Sequence, residues 1–255
     1  MKLEKQVAIV TGGASGIGRC AAIGLAREGA TVVVMDTNFS GAAETVKMIE
    51  EMDRVAIPVR ADTTNKNQLE EMVKKINSKY RRIDILVTSA GILEESGIEE
   101  TTQEQWNEVI GVNLTGVLYS IQAVLPVMQT RKYGKIVILS SIAAFRGRAK
   151  QSAYCTAAGA LTALAANTAV QVGKDGINVN CIAPGIIDTT FAESLKDDPE
   201  YLKFRIEHTP LRRRGKPEDL VGPILFFASQ DSDFITGETL IADGGVSIYT
   251  NGYGL

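Results

Sequence analysis

The sequence has few of the residues that build metal sites and disulfide frameworks. Its 255 residues include one histidine, His208, and three widely spaced cysteines, Cys20, Cys155 and Cys181. A lone histidine without an acidic or thiol cluster beside it does not make a metal site, and an odd number of separated cysteines does not make a disulfide framework. We therefore expect no bound metal and no structural disulfide.

The chain also lacks a charge excess and long apolar runs. Its net charge of −3 gives no reason to expect a nucleic-acid partner. No run approaches the roughly 20 apolar residues of a membrane span, and the first residues lack the features of a signal peptide. The sequence thus predicts a cytoplasmic protein with neither a membrane nor a nucleic-acid partner.

Segments of strand and helix character alternate along the chain. One helical stripe consists of Leu69, Met72, Val73, Ile76 and Tyr80, and Gly29 stands where a glycine ends a helix. The predicted strands are rich in Val and Ile and almost continuously apolar, as parallel strands covered on both faces are. They are Gln6–Thr11, Thr31–Asp36, Val55–Asp62, Ile83–Ser89, Lys135–Ser140, Asn178–Ala183 and Thr239–Ala242.

This alternation predicts an α/β fold with a single doubly wound parallel sheet of the Rossmann type and helices on both faces. No linker, repeat or low-complexity tract is visible, so residues 1–255 are interpreted as one domain for dinucleotide binding and catalysis. Residues 186–214 fit the alternation poorly, and an insertion of this length is typical of a substrate lid.

The first predicted strand runs into a glycine-rich turn and then a helix. Gly12, Ser15, Gly16, Ile17 and Gly18 are expected to hold a pyrophosphate on the free N–H groups of the helix N-terminus.

An acid, Asp36, ends the second predicted strand. A carboxylate there binds the ribose hydroxyls of NAD and repels the extra phosphate of NADP, so NAD is the predicted cofactor. The alternative is that Asp36 only starts a turn with Thr37 and Asn38.

These motifs resemble the short-chain dehydrogenase/reductase family, and the resemblance covers nearly the whole chain. In the family, Asp62 and Thr63 would face the adenine, the Ser89-Ala90-Gly91 turn would line the cofactor site, and Pro184, Gly185, Ile187 and Thr189 would contact the nicotinamide end. The family's Asn-Asn-Ala-Gly motif is altered here, because Thr88 and Ser89 replace both asparagines. Asp243-Gly244-Gly245 matches a common ending.

The resemblance also implies the catalytic residues. Tyr154 matches the acid/base, which would contact the cofactor too, Ser141 the residue that stabilises the developing oxyanion, and Asn113 the central-helix asparagine of a proton relay. Without the family pattern, Ser141 reads as a strand-end cap, Tyr154 as a half-buried aromatic and Asn113 as a mid-helix residue bonded to its own backbone.

The family's lysine, four residues after the tyrosine, is missing. Ala158 occupies that position, so the charge that lowers the tyrosine pKa is absent and turnover should be slow or nil. An engineered lysine-to-alanine change explains this better than a natural non-catalytic homologue, because Asn113, Ser141, Tyr154 and Thr189 all remain.

The sequence gives little information about the substrate. Ile92, Leu93, Ile142, Phe145, Gln151 and Ile186 should surround the nicotinamide end by analogy with the family. Two basic clusters flanking one cleft could attract an anionic substrate such as a carboxylate, phosphate or sulfonate, and the alternative is that they are solvated charges or form salt bridges between subunits. The clusters are Arg146, Arg148 and Lys150, and Lys203, Arg205, His208 and Arg212–Arg214.

The leading interpretation is an NAD-dependent enzyme that interconverts a secondary alcohol and a ketone on a small polar substrate: a sugar, polyol, hydroxy acid or related anion. The alternatives are a 3-oxoacyl-type reductase, which Asp36 disfavours, and a non-catalytic NAD-binding regulatory protein, which Ala158 suggests. By analogy with the family the chain forms a homotetramer, with the Gln103–Thr130 and Ser152–Val172 segments as its contact faces.

Overall fold

A computed structural model describes residues 1–189 and 199–249 of the chain. The strands are β1 (Val7–Thr11), β2 (Thr31–Asp36), β3 (Ala56–Arg60), β4 (Ile85–Thr88), β5 (Gly134–Leu139), β6 (Ile177–Pro184) and β7 (Thr239–Ala242). The helices are α1 (Gly16–Arg27), α2 (Phe39–Glu50), α3 (Lys66–Tyr80), α4 (Gln103–Ile110), α5 (Gly116–Arg131), α6 (Ser152–Val172), α7 (Pro199–Glu207) and α8 (Val221–Ala228).

The strands form one parallel sheet of seven, in the order β3-β2-β1-β4-β5-β6-β7. The chain therefore moves outward from β1 in one direction and, after β3, returns to β4 on the other side of β1. Crossovers on the two sides then cover opposite faces, which leaves a crevice at the carboxyl ends of β1 and β4. The predicted doubly wound α/β fold is confirmed.

Two apolar layers cover the sheet because side chains alternate along each strand. In β1, Val7 and Ile9 pack into the layer with α3, α5 and α6, whereas Ala8 and Val10 pack into the layer with α1, α2 and α8. In the predicted helical stripe, Leu69, Met72, Val73 and Ile76 are buried and Tyr80 is partly buried. Gly29 follows α1 with φ +97°, as a C-terminal glycine does.

Three strands are shorter than the sequence suggests, β1 by one residue and β3 and β4 by three residues each. β3 was expected over Val55–Asp62, but its ladder ends where Arg60 faces Asp36, the last residue of β2. β4 was expected from Ile83, but Asp84 directs its buried carboxylate to the N–H of Val7 at 2.8 Å. Partner strands therefore set these limits, not the apolar runs.

Although no continuous run of about 20 apolar residues is present, two helices among the described residues are long and apolar enough to cross a membrane by length and composition alone. Gln103–Arg131 and Ser152–Asp175 both qualify, because their small and hydroxyl residues lower the mean hydropathy only a little. In the structure the inner faces of these helices belong to the core on one side of the sheet.

The two ends of the segment predicted as a lid, residues 186–214, are held together. Ile187 is bridged to Gly215, and the N–H of Asp188 donates to the Gly215 carbonyl at 2.8 Å. Residues 190–198 of this segment lie outside the described part of the chain.

Candidate active site

The turn between β1 and α1 requires its glycines. Gly12 has φ +67°, and a Cβ there would lie 2.6 Å from the backbone nitrogen of Ala90. A Cβ on Gly18 would lie 2.1 Å from the carbonyl oxygen of Gly12. Both distances are far shorter than van der Waals contact. Only glycine, which has no Cβ, allows the backbone segments to approach this closely.

The N-terminus of α1 opens into a cleft with its N–H groups uncapped. Ser15 makes no side-chain capping bond, and the first turn contains no acidic residue. Free N–H groups at the positive end of a twelve-residue helix favour a phosphate group. The residues present thus fit the pyrophosphate of a dinucleotide.

Asp36 ends β2 at the rim of the same cleft. One carboxylate oxygen accepts the N–H of Ala14 at 3.0 Å and the other accepts the N–H of Asn38 at 2.9 Å. The turn-starting alternative is therefore part of the structure, and the same two bonds fix the carboxylate beside the glycine-rich turn. A fixed carboxylate can accept further hydrogen bonds from ribose hydroxyls.

Asp62 and Thr63, expected from the sequence to face the adenine, lie in the same cleft as Asp36. Asp62 accepts the N–H and the hydroxyl of Thr64, both at 2.8 Å, and lines the cleft with the buried Thr63. Across the cleft, the Thr11 hydroxyl accepts the N–H groups of Ser89 and Ala90 at 3.2 and 3.3 Å. These bonds hold the loop after β4 against the glycine-rich turn.

Asn113 lies in a π-helical turn, Gly111–Thr115, between α4 and α5. Its side chain accepts the N–H of Ile92 at 2.8 Å and donates to the Ile92 carbonyl at 2.8 Å. The amide thus pairs with the loop after β4, not with its own helix. π-Turns are rare and concentrate at functional sites, because the extra residue redirects one side chain.

Ser141 and Tyr154 meet at the inner end of the cleft. The Ser141 oxygen accepts the N–H of Ala143 at 3.1 Å, which leaves its hydroxyl hydrogen to interact with Tyr154 or with a bound substrate. Burial raises the pKa of the Tyr154 phenol, and the Ser141 hydrogen bond and the Arg148 cation only partly oppose this. Tyr154 is therefore a neutral phenol near pH 7.

One cleft of about 460 Å³ brings nearly all the predicted site residues together. Only Gly18 among them does not line it, because it packs beneath the turn. The lining residues are Gly12, Ser15, Gly16, Ile17, Asp36, Asp62, Thr63, Ser89, Ala90, Gly91, Asn113, Ser141, Tyr154, Ala158, Pro184, Gly185, Ile187 and Thr189. Of the predicted substrate neighbours, Ile92, Leu93, Gln151 and Ile186 line the cleft, whereas Ile142 and Phe145 do not.

The fold and the cleft match known proteins along almost the whole chain. A family model described as "Enoyl-(Acyl carrier protein) reductase" matches residues 12–247. A 3-oxoacyl-(acyl-carrier-protein) reductase of Thermotoga maritima is 36% identical over 248 residues, covering 97% of this chain and 100% of the relative. A 5-keto-D-gluconate 5-reductase of Escherichia coli is 32% identical over 240 residues, with 94% of each protein covered.

Solved structures agree. A gluconate 5-dehydrogenase from Burkholderia cenocepacia, in complex with NADP and tartrate, has a TM-score of 0.94 at 31% identity, with 98% of both chains covered. This chain belongs to the short-chain dehydrogenase/reductase family. Members of this family bind a nicotinamide cofactor, and these relatives are oxidoreductases.

Ala158 lies where the family's lysine is expected, four residues after Tyr154. It is 4% exposed and lines the cleft, so a longer side chain at this position has the cleft to extend into. Its carbonyl oxygen accepts the hydroxyl of Ser140 at 2.9 Å, which ties α6 to the end of β5. The position is therefore held firmly although it carries no charge.

Sequence reasoning missed Glu94, which is 7% exposed. Its carboxylate accepts the hydroxyl of Ser96 at 2.6 Å and the N–H of Tyr154 at 3.4 Å. Glu94 thus occupies the N-terminus of α6, the helix that carries Tyr154, where a negative charge is stabilised. No sequence signal distinguished this acid from the neighbouring Glu95.

The prediction that two basic clusters flank the cleft is mostly wrong. Among the residues the structure describes, only Arg148 of the two clusters lines it. Arg213 donates to both carboxylate oxygens of Asp219 at 2.5 and 3.0 Å, and Arg214 lies 3.1 Å from Asp188. Arg213 and Arg214 thus form ion pairs within the chain, a role that was not expected from the sequence.

Proposed function

We propose that this chain is an NAD-dependent dehydrogenase/reductase that interconverts a secondary alcohol and a ketone on a small polar substrate. The observation that carries the proposal is the meeting of Ser141, Tyr154 and Asn113 with the uncapped N-terminus of α1 in one cleft. That arrangement supplies a nucleotide site and a proton-exchanging group side by side.

NAD is proposed over NADP because a carboxylate occupies the end of β2. Asp36 is fixed by two backbone N–H groups, so it cannot easily turn away from an added phosphate. Arg19, which follows the glycine-rich turn, directs its guanidinium to Glu44 at 2.6 Å and to Thr45 at 3.0 Å. Its charge is therefore already neutralised within the chain.

Tyr154 is proposed to exchange the substrate proton. In the oxidation direction the substrate O–H bond breaks and its proton moves to the oxygen of the ionised Tyr154 phenolate, which becomes the neutral phenol, while the C–H electron pair of the same carbon leaves as hydride and the C=O bond forms. NAD⁺, when bound, would supply the hydride acceptor. Ser141, whose hydroxyl hydrogen is available to donate, holds the substrate oxygen as its charge changes.

Ala158 limits this chemistry in the chain as it stands. A cation within about 4–6 Å lowers the pKa of an acid by roughly 1–3 units, and the family's lysine would act on Tyr154 in this way. With alanine present, burial dominates and Tyr154 stays protonated at neutral pH. We therefore propose that this chain is an oxidoreductase disabled at position 158. We favour an engineered lysine-to-alanine change over a natural alanine at this position.

The deciding experiment compares this chain with its Ala158→Lys variant for NADH formation on sugars, polyols, hydroxy acids and sulfonated alcohols. Turnover by the variant alone supports the proposal. Cofactor binding without turnover by either protein on the whole panel would favour a non-catalytic NAD-binding regulator instead.

A 3-oxoacyl-type reductase is the second candidate, favoured by the relative from Thermotoga maritima. It predicts oxidation of NADPH by the Ala158→Lys variant on an acetoacetyl thioester. A preference for NADH and no reaction with the thioester would remove this candidate.

We further propose one cytoplasmic domain that assembles as a homotetramer through α4–α5 and α6, with residues 186–214 as the lid. Val170 on α6 is 85% exposed in the single chain, as an apolar residue at a subunit contact would be. Light scattering after gel filtration tests the assembly, and a monomeric mass would contradict it.

A further inference from the structure

Arg148 stands alone as a positive charge at the cleft. Of the described residues that line the cleft, it is the only one with a cationic side chain, and the acids Asp36 and Asp62 lie at the adenosine end. Arg148 is half-buried, whereas its neighbours Gly147 and Ala149 are exposed. The loop before α6 therefore turns this one side chain towards the cleft.

Arg148 also has no protein group to neutralise it. Within residues 1–189 and 199–249, no hydrogen bond or ion pair engages its guanidinium, in contrast to the pairs that Arg213 and Arg214 make. Removing a cation from water without a partner costs free energy, and an anion bound in the cleft would offset that cost.

Gln151 supplies a second group that lacks a partner. Its side chain is 5% exposed and lines the cleft, yet its Oε1 atom is buried without a hydrogen-bond partner. Gln151 is the N-cap residue of α6, but its side chain makes no capping bond. A buried amide oxygen left unpaired costs free energy unless a ligand donates to it.

Both groups lie close to Tyr154. Gln151 stands just before α6, three residues ahead of Tyr154, and both residues line the same cleft. The charge of Arg148 acts on the Tyr154 phenol. Glu94, the acid beside them, is already engaged by Ser96 and the N-terminus of α6.

We infer that the substrate is a polyhydroxy carboxylate, whose carboxylate binds the Arg148 guanidinium and one of whose hydroxyls, other than the one that reacts, donates to the Gln151 amide oxygen. This inference rests on the proposed function, and it names the substrate class of that same cleft. Arginine suits a carboxylate because its planar N–H groups match the two oxygens.

A competing role for Arg148 is to act only on the Tyr154 phenol. That role predicts equal losses on charged and neutral substrates, because the phenol serves both. Carboxylate binding predicts a loss confined to acids.

The experiment uses pairs of probes that differ only in the carboxylate, such as D-gluconate and its neutral counterpart D-glucitol, and the analogous hydroxy acids and polyols of three to five carbons. Binding to the NAD complex of this chain is measured by calorimetry, and KM is measured in the Ala158→Lys variant. Arg148→Gln should weaken the best-bound acid at least tenfold and change its neutral partner less than threefold. Lys150→Gln, which removes the same charge from an exposed position on this loop, should change neither.

Gln151→Met tests the second contact with a side chain of similar size. It should weaken the acid and its neutral partner alike, because both offer the hydroxyl, while the melting temperature stays the same or rises. A purely structural role for Gln151 predicts a lower melting temperature instead.

The inference is overturned if no acid binds better than its neutral partner, or if Arg148→Gln leaves that preference intact. Turnover of a neutral alcohol by the Ala158→Lys variant would still support the proposed function in that event. Conversely, Arg148-dependent binding of an acid without turnover would retain the inference and contradict the proposed function.

Discussion

Restoring a lysine at position 158 should recover most of the missing activity. Burial holds the pKa of Tyr154 above its ordinary value of about 10, so less than about 1% of the phenol is ionised at pH 8. A neighbouring ammonium lowers such a pKa by roughly 1–3 units, and each unit is worth about 1.4 kcal/mol. The Ala158→Lys variant should therefore oxidise its alcohol about 10- to 1,000-fold faster near neutral pH.

The assay follows NADH formation as a function of pH. The reactive form is the phenolate, so the rate of the unchanged chain should rise about tenfold per pH unit up to the raised pKa. The variant's rate should level off at a lower pH, because its phenol ionises earlier. Ala158→Met fills the same space without charge and controls for packing.

Two results would refute this reasoning. If Ala158→Lys and Ala158→Met bind NAD equally and react equally slowly, the missing charge is not what limits the chain. The same conclusion follows if the pH at which the rate levels off does not move.

Three further predictions concern other parts of the molecule. Asp36→Ser should weaken NADH binding roughly tenfold or more and improve NADPH binding, as measured by fluorescence titration, because a charge-assisted hydrogen bond is worth about 1.5–3 kcal/mol; an unchanged preference would contradict the cofactor assignment. Asn113→Ala removes both 2.8 Å bonds to Ile92 and should lower the free energy of unfolding by about 1–3 kcal/mol in a denaturant titration; no loss would mean that these bonds do not hold the loop. The fully buried Lys135 lies 2.7 Å from the exposed Asp233. Lys135→Met removes the buried charge together with the need for a partner and should change the free energy of unfolding by less than about 1 kcal/mol, whereas Asp233→Ala leaves the buried charge unpaired and should cost more. The reverse order would show that the ion pair is net stabilising.

Much of the fold could be predicted because apolar runs mark the strands of the sheet, even in β7, where Leu240 and Ile241 are exposed. The limits of β2 and β7 match their predicted ranges, since each run ends at its polar flanks. The predicted ranges of β3 and β4 are too long. The length of a strand ladder depends on the neighbouring strand, which a single sequence does not show.

The candidate site divides in the same way. Asp36 and the glycine-rich turn could be found from spacing, because backbone geometry dictates those residue types. The pairing of Asn113 with Ile92 could not, because it depends on a π-helical turn. The ion pair between Arg214 and Asp188 joins residues far apart in sequence. The clustering of basic residues along the chain therefore did not reveal the partner of Arg214.

The central claim is that this cleft exchanges a hydride between a nicotinamide cofactor and a secondary alcohol with Tyr154 as the proton partner. The most direct test gives the Ala158→Lys variant NADH deuterated at the transferable position together with a panel of ketones, and examines the products by mass spectrometry. The account predicts deuterium at the carbinol carbon, and none when Tyr154→Phe is added to the variant. Products without deuterium, or labelling that survives Tyr154→Phe, would contradict it.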